Sequence, residues 1–140
     1  MGLSQRIKGT ILKGVICGDT CNVVFSKVSQ LDNKTILSVL NSKVVNYYFK
    51  YFNQTNHVPI GEIRKIPFPS IDQNVQIQLI DLVDQILTAK KSNPSADTSQ
   101  LEQQIDLLVY HLYGLTYDEV LIVDPETPIT REGYEQAIKK

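Results

Sequence analysis

The residues with the clearest potential for chemistry are the polar side chains of one short segment, Asn53-Gln54-Thr55-Asn56-His57. Amide side chains can pair bidentately with adenine in the major groove of DNA, whereas Arg and Lys contact guanine or phosphate. The candidates for base contacts are therefore Asn53, Gln54, Asn56 and His57. The candidates for phosphate contacts are the cations on either side of the segment, Lys43, Lys50, Arg64 and Lys65. An ordinary solvated loop is the alternative interpretation of the segment.

The other reactive residue types form no catalytic or metal-binding pattern. Cys17 and Cys21 offer two zinc ligands, but a structural zinc site needs four, and His57 and His111 lack the usual ligand spacing. The sequence contains no G-x-S-x-G elbow, no phosphate-binding loop and no dinucleotide fingerprint. Asp124-Pro125-Glu126 lacks the following lysine of a metal-dependent nuclease. We therefore expect no catalytic residue, metal or cofactor in this chain.

The charge is divided unevenly along the chain. The formal net charge is −1, which argues against a protein that simply coats DNA with a basic surface. Residues 1–70 contain nine Lys and Arg against three Asp and Glu, whereas residues 71–140 contain five against twelve. This favours a basic face that meets an anion, although solvated faces that segregate by chance are the alternative. The sequence shows neither a signal peptide nor an apolar run of membrane length, so we expect a cytoplasmic protein.

The elements that must position these residues predict an α+β fold. Short apolar runs between turn residues predict a small β-strand portion at residues ~10–28 and ~57–67. A long helix over residues 33–52, capped by Asp32 or Asn33, packs against it.

The second half of the sequence predicts an antiparallel helical hairpin and a short C-terminal helix. Apolar residues recur at spacings of four, three and four in two successive segments, at Val75, Leu79, Leu82 and Ile86, and at Leu101, Ile105, Leu108 and Leu112. Ser99 with Glu102, and Thr116 with Glu119, fit capping boxes, and Thr130 can cap a last helix. Gly114 fits the position after a helix end.

Three segments carry a resemblance to a known family. Leu37–Phe49 reads LSVLNSKVVNYYF, Ile63–Pro69 reads IRKIPFP, and Ile105–Val120 reads IDLLVYHLYGLTYDEV. In this order, and with a helix between the last two, they resemble the TaqI-like C-terminal specificity domain of adenine-N6 DNA methyltransferases and type IIG restriction–modification enzymes. Specificity subunits of type I restriction systems are related to it. The resemblance covers roughly residues 14–124.

The resemblance implies a target recognition domain that binds duplex DNA and positions an adenine for a separate catalytic domain. It divides the chain into the C-terminal part of that domain, residues 1–70, and a spacer or docking region, residues 71–140. The chain lacks the S-adenosylmethionine loop and the Asn/Asp-Pro-Pro-Tyr/Phe motif of a methyltransferase core. We therefore expect S-adenosylmethionine to bind the parent methyltransferase domain, in the same or a separate chain and in some cases fused to a nuclease.

A second hypothesis uses the hairpin alone. Heptad-like seams can pair between chains. The alternative function is therefore a protein-interaction module in which the hairpin is a docking or homodimerisation surface.

Overall fold

The first helix begins where the sequence predicts. In this computed structural model, which describes residues 9–11, 30–52 and 59–137, α1 spans Asn33–Asn41. The carboxylate of Asp32 accepts a hydrogen bond from the backbone N–H of Lys34 at 2.7 Å. The cap thus satisfies one of the N–H groups that have no partner within the helix.

The helix does not continue to residue 52, because the backbone turns at Ser42. Ser42 has an extended conformation, with φ −63° and ψ 156°, and a second helix, α2, then spans Lys43–Phe52. The buried Ser42 hydroxyl donates to the carbonyl of Val39 at 2.7 Å and accepts from the N–H of Val45 at 3.3 Å. Two helices therefore replace the single helix predicted over residues 33–52.

Asn46 provides a hydrogen-bond donor to the Asn41 carbonyl, which loses its helical partner at this break. Its side-chain amide donates to the carbonyl of Asn41 at 3.2 Å and to that of Ser42 at 2.9 Å. Ser and Asn side chains offer the backbone hydrogen bonds outside a regular helix, and here they stabilise the interruption.

The predicted α+β fold class is wrong. Within residues 9–11, 30–52 and 59–137 the structure has helices and no strand. The described part of the second predicted strand region forms a short helix, α3 (Ile60–Ile63), with Pro59 as its N-cap. Apolar residues recur there every three positions, at Ile60, Ile63 and Ile66, which is a helical period. Residues 12–28 of the first predicted strand region lie outside the described part of the chain.

The predicted helical hairpin is present. α4 spans Gln73–Ser92 and α5 spans Ser99–Leu112, and the two helices pack against each other. All eight predicted seam positions belong to one hydrophobic core. The N-cap of α5 is Thr98, one residue before the predicted Ser99, and its hydroxyl donates to the carboxylate of Glu102 at 2.6 Å.

The turn after α5 follows the predicted signals. Gly114 has a φ of +66°, and the N–H groups of Gly114 and Leu115 donate to the carbonyls of His111 and Tyr110, which is the Schellman arrangement. α6 (Tyr117–Val123) then begins with the predicted capping box of Thr116 and Glu119.

The last helix, α7 (Arg131–Ala137), begins after Thr130, whose hydroxyl accepts from the N–H of Gly133 at 3.1 Å. Tyr134 is its buried residue and packs in a second, smaller core with Tyr110 and Val120.

The main core contains residues from both halves of the chain. Val39, Val45 and Phe49 of α1 and α2 pack with residues of the hairpin such as Leu79 and Val109. The division into residues 1–70 and 71–140 stays a prediction about function. In the described part of the chain, no helix combines the length and apolar character that a membrane crossing requires.

Candidate nucleic-acid interface

The predicted base-contacting residues follow the end of α2 directly. Asn53, Gln54, Asn56 and His57 lie outside the described residues, and their assignment stays a prediction. The last described residues before them are Tyr51 and Phe52, so the orientation of α2 decides where this segment begins.

Three of the four predicted phosphate contacts are exposed. Lys50 lies in the last turn of α2, where a cation also interacts favourably with the helix dipole. Arg64 is the C-cap of α3. Lys65 is 68% exposed and forms a salt bridge with Glu62 at 2.8 Å, a hydrogen bond that raises the pKa of the ammonium group. Because this pair is exposed, the salt bridge is weak and leaves Lys65 accessible to a phosphate.

Lys43, the fourth predicted phosphate contact, is bound within the fold. Its ammonium group lies 2.7 Å from the carboxylate of Asp124, a residue that is itself buried. Its backbone N–H donates to the carboxylate of Asp106 at 2.9 Å. The structure therefore gives Lys43 two anchoring contacts, both to residues of the second half of the chain.

Asp106 is a buried carboxylate that sequence reasoning did not single out. It is 8% exposed and lies on α5. Burial is the main cause that raises its pKa to about 6, and the nearby carboxylates of Asp124 and Glu102 raise it further. The N–H and ammonium groups of Lys43 lower the pKa, but by less. A charged residue between Ile105 and Leu107 in a helix with a buried face was the available signal.

Asp124 accepts a second hydrogen bond. The hydroxyl of the fully buried Tyr110 lies 3.2 Å from the same carboxylate oxygen that meets Lys43. Burial raises the pKa of Tyr110 well above its ordinary value, and the nearby Asp106 and Asp124 add to this, so the hydroxyl stays protonated and donates. The structure thus buries Asp124 in this network.

Aromatic residues pair along α2 and become exposed at its end. Tyr47 pairs with Tyr51, and Tyr48 with Phe52, at ring-centroid distances of 4.8 and 4.4 Å. Tyr51 and Phe52 remain 64% exposed at the end of the helix, next to Lys50. Rings of this kind next to cations are compatible with a nucleic-acid surface.

No cluster of potential metal ligands forms among the residues the structure describes, since no three His, Cys, Asp or Glu residues come together there. His111 stacks on Tyr134 with ring centroids 4.2 Å apart, and its Nε2 is buried without a hydrogen-bond partner. Burial lowers the pKa of His111, as expected for a packed histidine.

Comparison with known proteins gives one result. No curated protein and no solved structure matches the chain. A family model does match it, over the segment that contains α1, α2 and α3. The predicted resemblance is thereby confirmed for this segment: residues 7–68 match the TaqI-like C-terminal specificity domain.

Proposed function

We propose that this chain is a DNA sequence-recognition module of an adenine-specific DNA methyltransferase of a restriction–modification system. It binds duplex DNA and positions the target adenine for a separate catalytic domain, which binds S-adenosylmethionine. The observation that carries the proposal is the family match over residues 7–68. The exposed cations Lys50, Arg64 and Lys65, all within that segment, support it.

The proposed division of labour follows from chemistry. Arg64 and Lys65 neutralise phosphates and fix the position of the module on the duplex, which carries no sequence information by itself. The amide side chains of Asn53, Gln54 and Asn56 then read base edges. Because each phosphate contact releases counterions, we expect duplex binding to be strongest at low salt. The slightly negative overall charge leads us to expect weak binding without the catalytic domain.

The salt dependence of duplex binding tests this proposal. Each lost phosphate contact lowers the slope of log K against log salt by about 0.9. Arg64→Gln with Lys65→Gln should therefore lower the slope by about 2, measured by fluorescence anisotropy with a labelled random duplex. The matched control is Lys90→Gln with Lys91→Gln, which removes two adjacent cations from the end of α4 and should leave the slope unchanged.

Two results would contradict the proposal. One is an equal change of slope for both double variants, which would mean that only total charge matters. The other is an absence of duplex binding at low salt even when the parent methyltransferase domain is present.

The alternative of homodimerisation through the hairpin has less surface available than the sequence suggested. The seam residues pack within the chain, against each other and against α1 and α2. Light scattering measures this directly: a monomer at micromolar concentration is expected, and a stable dimer would favour the interaction module.

A further inference from the structure

The N-terminus of α2 is held by residues from the second half of the chain. An α-helix begins with four N–H groups that lack partners within the helix. The first of these in α2, that of Lys43, donates to Asp106 of α5, and the N–H of Val45 donates to the Ser42 hydroxyl. Asp106 therefore acts as a cap supplied by another helix, and its negative charge complements the positive end of the α2 dipole.

A second contact holds the same turn. The Lys43 ammonium group meets Asp124, which follows α6 and is itself fixed by the hydroxyl of Tyr110. The first residue of α2 is thus bound through its backbone to α5 and through its side chain to the end of α6. Two contacts in different directions restrict both the position and the tilt of the helix.

A small change in the tilt of α2 at Lys43 produces a larger displacement of its other end, at Phe52. α2 has ten residues, which at 1.5 Å per residue makes a helix about 15 Å long. A tilt of about 10° at Lys43 would move the end at Phe52 by about 2.6 Å, by the same geometry. Functional contacts tolerate displacements of only about 0.5 Å. The end of α2 carries Lys50 and leads into the residues proposed to contact bases.

We propose that Asp106 and Asp124 are positioning residues for DNA recognition, which act by fixing the first turn of α2 and hence the DNA-facing end of that helix. This inference rests on the proposed function. It gives the helical hairpin an indirect role in sequence recognition, because the hairpin fixes the orientation of α2 and does not itself contact DNA. The network has no need of a ligand, because its members already pair with each other.

The first test uses Asp106. Asp106→Ala removes the acceptor, whereas Asp106→Asn keeps an oxygen that can accept from the Lys43 N–H. Asp118→Ala is the control, since Asp118 is an exposed carboxylate that pairs with Arg131 away from α2. Two readouts are compared in the full chain. One is hydrogen exchange of α2 amides without DNA, and the other is DNA selectivity.

Selectivity can be measured without knowledge of the target sequence. It is the ratio of affinity for a duplex pool enriched by the wild-type chain to affinity for the starting random pool. In Asp106→Ala we expect α2 amides to exchange on the order of tenfold faster, with α4 unchanged, and selectivity to fall on the order of tenfold. Asp106→Asn should restore most of both, and Asp118→Ala should change neither.

A second pair of variants covers the case in which Asp106→Ala does not fold. Asp124→Asn weakens the contact with Lys43, and Asp118→Asn makes the same change of charge at the Arg131 contact. Only Asp124→Asn should lower selectivity.

The outcomes separate the two proposals. If the wild-type chain selects a duplex pool and both Asp106→Ala and Asp124→Asn select it equally well, the positioning role is wrong and the recognition function stands. Faster exchange in α2 with unchanged selectivity overturns the positioning role as well. If the wild-type chain enriches no sequence even with the methyltransferase domain present, the recognition function itself fails, and the positioning role falls with it.

Discussion

Replacement of the buried Asp106 by Asn should stabilise the protein at neutral pH. Burial raises the pKa of this carboxyl from its ordinary 3.8 to about 6, so the folded state binds the proton more tightly than the unfolded state does. Folding is therefore favoured when Asp106 is protonated, and stability falls as the pH rises from about 4 through 6. This direction is opposite to that of a carboxylate stabilised by a salt bridge.

The magnitude follows from the size of the shift. A difference of about two pKa units between the folded and unfolded states corresponds to about 3 kcal/mol, since one unit is about 1.4 kcal/mol. Asp106→Asn removes the ionisation and keeps a side-chain oxygen near the Lys43 N–H. Its free energy of unfolding should exceed that of the wild type by about 3 kcal/mol at pH 7 and by less than about 1 kcal/mol at pH 4.

Urea unfolding at a series of pH values from 4 to 8 measures this difference. Other titrating groups, such as His111, contribute equally to both proteins and cancel when the two curves are subtracted. A difference that stays constant with pH would refute the reasoning, because it would mean that Asp106 keeps its ordinary pKa in the folded state. A difference that grows as the pH falls would mean that the Lys43 contacts outweigh burial.

Three further substitutions test other parts of the fold by urea or thermal unfolding. Gly114→Ala places a side chain at a φ of +66° and should lower the free energy of unfolding by about 1–2 kcal/mol. Leu79→Ala leaves a cavity in the main core, where Leu79 is fully buried, and should lower it by about 2–5 kcal/mol. His111 should contribute the opposite trend to that of Asp106: because burial lowers its pKa and the unfolded chain binds the proton more tightly, its contribution to stability is lost as the pH falls below about 6.5. His111→Phe, which keeps a ring on Tyr134, should remove that loss; an unchanged profile would contradict the assignment to His111.

Local patterns predicted the second half of the chain better than the first. The seam of α4 and α5, the cap at Asp32, the capping box at Thr116 and the turn at Gly114 all depend on residues close in sequence, and the structure shows each of them. The α+β prediction failed because a short apolar segment with prolines was read with a strand period. The break at Ser42 was not predicted because it depends partly on Asp106. This residue accepts a hydrogen bond from the N–H of Lys43, which lies 63 residues earlier in the sequence.

The residues of the candidate site also differ in whether nearby or distant parts of the sequence determine their contacts. Composition and position were sufficient to select Lys50, Arg64 and Lys65 as exposed cations. They were not sufficient for Lys43, whose two partners come from α5 and from the end of α6. No pattern of nearby residues shows that a basic side chain is already paired, because the pairing is made by the tertiary fold.

The contacts of Lys43 also explain why separate sequence segments belong to one structural unit. The family match ends at residue 68, between α3 and α4. Yet Val45 and Phe49 of α2 are buried together with Leu79 and Val109, which lie beyond that end. The apolar face of α2 packs against the hairpin, and its first N–H group donates to Asp106 of the hairpin, so the hairpin contributes to the orientation of α2. Under the proposed function, residues 73–112 are the structural support of α2, in addition to any role as a spacer.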